Sequence, residues 1–263
     1  MEKPDPRTVR EILSRHADLA RARLYDENED GDTLLHRADA GIELPRDDRG
    51  WSLEDGTTDA HLEVARVLIR YGAPVDAMGG SENTVGETPL GAAAWAGNLR
   101  MCRLLLEHGA DPNHVTERGF DALGTAADHR KTAIVEAMIT AGARYEPRHL
   151  LQCGLKERLN HLLDREPERL HERIDLGHFS GESGTLLHVA VNEGLEEMVA
   201  LLLARGADVE ARDDKGRTAI CCALEPTHAT RSDAIIDLLR RHGARIDDDA
   251  IDEDCERPGT RPS

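Results

Sequence analysis

Asp26-x-Asn28-x-Asp30-Gly31 has the oxygen ligands and the glycine that begin a calcium-binding loop. The twelfth position of such a loop needs a bidentate glutamate, and here it is Arg37, so the segment reads as a run of loop carboxylates. The chain's 13 histidines invite a transition-metal reading. Their spacing argues against it, because no His-x-x-x-His or Cys-x-x-Cys occurs. His149 and Cys153 stand at i, i+4 but supply only two ligands. His16, His108 and His242 fall at helix ends, where a cation suits the dipole. The cysteines Cys102, Cys153, Cys221, Cys222 and Cys255 are odd in number, and adjacent Cys221 and Cys222 make a poor disulfide, which fits a reducing compartment. Cys221 and Cys222 fall in a helix rich in small residues, where buried, inert thiols are expected. Gly79-Gly80 lacks the lysine and serine of a phosphate-cradling loop. No catalytic residue, metal site or cofactor is therefore expected.

The elements that carry these residues must come from a chain of 263 residues with only 3% aromatics, so Leu, Ala, Val and Ile must build the core. The formal net charge is −18. Segments 26–32, 39–60 and 247–254 carry 18 of the 51 acids and two of the 33 bases; the remainder is nearly balanced. An acidic chain lacks the basic footprint that direct nucleic-acid binding needs. The start, MEKPDPRTVR, has no apolar signal region, and no window approaches the ~18 apolar residues of a membrane span. A cytoplasmic protein with no membrane partner is expected.

Self-similarity organises the rest. Gly86-Glu87-Thr88-Pro89-Leu90 returns as Gly119-Phe120-Asp121-Ala122-Leu123, His108-Gly109-Ala110-Asp111 as Ala141-Gly142-Ala143-Arg144, and Thr185-Leu186-Leu187-His188 as Thr218-Ala219-Ile220-Cys221, each at 33 residues. A second spacing of 11 holds from His61 to Gly72, Asn98 to Gly109, Lys131 to Gly142 and Leu195 to Gly206. A period of this length predicts stacked helix pairs. In each unit Thr88-like caps and Pro89-like first positions open a short helix of small residues. A second helix follows, with apolar residues at helical spacing: Met101, Leu104 and Leu105; Ile134, Met138 and Ile139; Met198, Leu201 and Leu202. Gly-Ala then stops it.

Gly-Glu-Thr-Pro-Leu (86–90), Thr-Leu-Leu-His (33–36 and 185–188), Leu-Leu-Glu-His-Gly-Ala-Asp-Pro-Asn (105–113) and Leu-Leu-Ala-Arg-Gly-Ala-Asp-Val-Glu-Ala (202–211) closely resemble ankyrin repeats over roughly residues 8–247. The resemblance implies an all-α fold, an α-solenoid of about six helix-turn-helix repeats with β-hairpin tips, that recognises proteins along its concave face. It also implies that His36 and His188 are structural, bonding the neighbouring loop. The expected division is one domain, 1–247, with a half-repeat cap at 8–27 and repeats at 28–78, 79–115, 116–147, 148–179, 180–213 and 214–247. An acidic tail at 248–263 is expected to be disordered.

Departures from the period locate individuality. From Thr33 to Thr88 is 55 residues, so repeat 1 carries extra chain, mostly an insertion at 40–60 that holds Trp51. The interval from Asp121 to Thr185 is 64, which leaves a degenerate fourth repeat with Glu166-Pro167 in place of Gly-Ala. Four residues are added around Pro226 to Arg231.

Alignment of the units puts Trp95, Ala96 and Glu87, then Phe120, Asp128 and His129, then Asn192 and Glu193, on the concave side or near the hairpins. Trp95, Phe120 and Trp51 are the expected apolar anchors. Glu87, Asp47, Asp48, Glu54 and Asp55 would select a basic protein partner and speed association. A monomeric, non-enzymatic interaction module is the expected function. Two alternatives stay open: an enzyme or small-molecule-binding protein with a pocket under the 40–60 insertion, and an acidic nucleic-acid mimic that blocks a DNA-binding protein.

Overall fold

A computed structural model describes residues 6–21, 23, 24, 32, 33, 35, 38, 59–79, 88–116, 119–175, 183–224 and 232–245. The insertion from 40 to 58, the added residues 226–231 and the tail, each singled out above, lie outside the described residues, as does His36. The chain divides into two compact units, Met1–Tyr145 and Glu146–Ser263.

Unit 1 opens with α1 (Pro6–Arg15), a 3-10 turn (Ala17–Arg21) and two short antiparallel strands, β1 (Arg23–Leu24) and β2 (Asp32–Thr33), in which Arg23 faces Thr33. Then come α2 (Asp59–Arg70), α3 (Pro89–Ala96), α4 (Leu99–Glu107), α5 (Ala122–Asp128) and α6 (Thr132–Thr140). First helices α3 and α5 pack together, and so do second helices α2, α4 and α6 in turn, with α1 against α2. Small side chains set the spacing of the first layer: Ala93, Ala94, Ala126 and Ala127 have no exposed surface. The second layer buries Met101, Cys102, Leu104 and Leu105 in α4, and Ile134, Val135 and Met138 in α6. Ile139, expected inside, is half-buried, while Val135 is fully buried. A helix with neighbours on two sides buries a wider arc than one seam, so adjacent positions go in together.

The helix ends follow local chemistry. Thr88 Oγ1 accepts from the Gly91 N–H at 3.2 Å, and Pro89, which needs no donor partner, takes the first helical position. Buried Asn98 caps α4 by accepting from the Met101 N–H at 3.0 Å. Between the two helices Gly97 sits at φ 77, with Lys131 pressed against the place a Cβ would fill. The hairpin fingers are cross-linked as well. The Asp76 carboxylate accepts from the Asp111 N–H at 2.9 Å, and the Asn113 side-chain oxygen accepts from the Arg144 N–H at 2.7 Å.

Unit 2 contains α7 (Pro147–Gln152), α8 (Lys156–Arg165), a 3-10 turn (Pro167–Leu170), β3 (Ile174–Asp175), β4 (Ser183–Gly184), α9 (Leu186–Asn192), α10 (Glu196–Ala204), α11 (Ala219–Leu224) and α12 (Asp233–Arg241). First helices α7, α9 and α11 pack in sequence, α10 packs on α12, and each first helix packs on its own second helix. The helix pair expected at 148–179 opens at Glu146, which with His149 forms a reciprocal capping pair like that of Thr185 with His188. Glu146 lies 25 residues after Asp121 and 39 before Thr185, so the 64-residue interval divides unevenly. Pro167 cannot continue α8, and the chain turns in 3-10 form instead. Arg169 secures that turn through Glu146 (2.8 Å), Glu166 (3.1 Å) and Glu172 (3.0 Å).

A buried polar latch joins repeats within unit 2. His188, with no exposed surface, accepts the Thr185 N–H at Nδ1 (3.2 Å), which leaves Nε2 to donate to the Arg217 carbonyl at 3.1 Å. This is the structural role expected from the motif. Buried Asp213 accepts from the Lys215 and Arg217 N–H groups at 3.0 and 2.8 Å and from Arg217 Nε at 2.8 Å. Burial alone would raise the Asp213 carboxyl; the hydrogen bonds and charge of Arg217 outweigh it and hold the group below its ordinary value. Burial likewise disfavours the His188 cation, so its pKa lies below 6.5, outweighing the bond to Arg217.

Because the unfolded chain binds that proton more readily, the contribution of His188 to stability is full above pH 6.5 and falls as pH drops through the folded value. Urea unfolding of the full chain between about pH 7 and 5 should show stability declining with acidity, and His188→Gln should remove most of the decline below about pH 6.5. An unchanged slope in the variant would take His188 out of the latch.

Candidate functional site

The face that is left open begins with the geometry of α3. Leu90, Ala93 and Ala94 turn inward with no exposed surface, and Trp95, one step round the helix, is 57% exposed. Trp95 stands in the last turn of a helix capped by Thr88 at its start and by left-handed Gly97 at its end. Asp128 takes the same position on α5, seven residues beyond its cap Asp121 as Trp95 is beyond Thr88. Asp128 and His129 are exposed, and the His129 Nδ1 donates to the Thr125 carbonyl at 2.9 Å, which fixes the ring at the helix end. Arg130 follows in the left-handed region at φ 53, where most repeats place glycine.

Phe120 is half-buried. Its N–H donates to Thr116 Oγ1 at 3.0 Å and its carbonyl accepts from the Thr116 N–H at 2.7 Å, closing a finger whose next rung pairs Val115 with Asp121. Alternation along that rung puts Phe120 on the opposite face from Val115. Trp51, Glu87, Asp47, Asp48, Glu54 and Asp55 lie outside the described residues. Of the expected contact residues, then, Trp95 and Asp128 occupy equivalent positions on adjoining helices, and Phe120, between them in the chain, sits in the rung next to the finger's turn.

In unit 2 the corresponding residues have a different character. Asn192 and Glu193 are half-buried. Cys222 is buried, as an inert thiol would be, but Cys221 is half-buried and accepts from Thr218 Oγ1 at 3.3 Å. Among the described residues no group of three or more His, Cys, Asp or Glu could hold a metal, and no helix is long and apolar enough to cross a membrane.

Met78 and Val115 escaped the sequence reading. They are 37% and 55% exposed, and with Ile12 (46%), Leu19 (38%) and Trp95 they make up the large apolar side chains exposed among the described residues. All five belong to unit 1. The signal that could have found Met78 and Val115 is positional: each lies two residues beyond the Asp76 or Asn113 that ties its finger to the next.

Comparison with known proteins agrees with this architecture. Family models described as ankyrin repeats (3 copies) and ankyrin repeat match residues 56–149 and 184–214. The B-cell lymphoma 3 protein homolog of Mus musculus is 30% identical over 206 residues, which cover 73% of this chain and 38% of that protein. The chain thus spans less than two fifths of the length of the curated relatives it matches. The human ASB11 ankyrin repeat domain aligns at a TM-score of 0.53 and 26% identity over 70% of this chain and 80% of that one. The ankyrin repeat domain of Bcl-3 aligns at 0.52 over 82% and 89%, a likeness of fold at 24% identity.

Core and open face should separate cleanly under mutation. Leu105→Ala, at a side chain with no exposed surface, should cost about 2–5 kcal/mol in urea unfolding. Trp95→Ala should change stability by no more than about 0.5 kcal/mol. A large loss from Trp95→Ala would make it a packing residue.

Proposed function

We propose, from the premise that the chain belongs to the ankyrin-repeat family, that it is a non-enzymatic protein-interaction module whose unit 1 holds the docking face. Ankyrin repeats generally mediate protein–protein interaction, and that is the general function of this chain. The finer reading places the partner on the concave face of the N-terminal repeats, across Trp95, Phe120, Asp128 and His129. The observation that carries it is that, among the described residues, the exposed large apolar side chains all belong to unit 1, with Trp95 the most exposed. Tryptophan gives a large, rigid contact area at little conformational cost, and removing such an anchor commonly weakens binding by about 2 kcal/mol or more.

The partner is a basic protein. Acidic segments 26–32 and 39–60 both belong to unit 1's stretch of chain and would draw a cationic surface toward it. Exposed charges act chiefly on the encounter rate, while the buried aromatic contact sets the dissociation rate. The protein acts as a monomer in the cytoplasm.

Immobilised full-length protein should retain a basic partner from host lysate, and purified partner should bind Trp95→Ala at least about tenfold more weakly. Added salt should slow association far more than it speeds dissociation. Equal affinity for Trp95→Ala would remove the anchor, and a salt-independent on-rate would reject acidic steering.

A further inference from the structure

We draw no further inference here: the strongest candidate, the exposed apolar patch that Ile12 and Leu19 form on α1 and the 3-10 turn after it at the start of unit 1, carries none, because nothing in the structure shows what covers it.

Discussion

A helix of seven to nine residues joined by a tight turn to another of similar length cannot cover its own apolar side. Everything else in the molecule follows from that shortage. Leu90, Ala93 and Ala94 lose all their exposed surface because α5 lies against α3, and Leu105 loses its own because α4 lies between α2 and α6. Each buried leucine contributes about 1.5–3 kcal/mol by leaving water, but only when the neighbouring pair is in place. Alanines and glycines on the first helices are the geometric condition for that arrangement, since larger side chains would hold the helices apart.

The same arrangement divides each pair into a face spent on neighbours and a face left to solvent. Capping residues do their work at the border. Thr88, Asn98 and Thr185 satisfy backbone donors while almost fully buried, so helix ends can lie inside the stack. On the solvent side, polar residues cost nothing and apolar ones gain nothing for folding. The two units treat that freedom differently: unit 1 exposes Trp95, Val115 and Met78, whereas the matching finger position in unit 2 is Arg212. Such a difference is what a binding surface requires and a scaffold does not.

Much of the fold was legible because the repeat sets two spacings at once. Thr88, Pro89, His188 and the Gly-Ala stops each have one local chemistry, and the structure gives them the roles that chemistry implies. The buried arc was harder to place. Helical spacing alone selects Ile139 and Leu201, yet Val135 and Val199 are the residues fully enclosed, because two flanking helices cover more of the circumference than one. The opening of the fourth repeat was hidden for another reason: Glu146 with His149 makes the same reciprocal cap as Thr185 with His188, but the residue types differ. Trp95 stood out because tryptophan is rare in this chain. Met78 and Val115 did not, because a single exposed Met or Val is ordinary until its register is matched to the finger beside it.

The central claim is that stacking leaves the Trp95 face open in the free protein. Acrylamide quenching of Trp51→Phe, in which Trp95 is the remaining tryptophan, tests this directly. An open face gives red-shifted emission quenched nearly as readily as in the urea-unfolded chain. Blue-shifted emission shielded from acrylamide in the folded protein would mean that the chain covers Trp95 itself, and the docking face described for unit 1 would not exist.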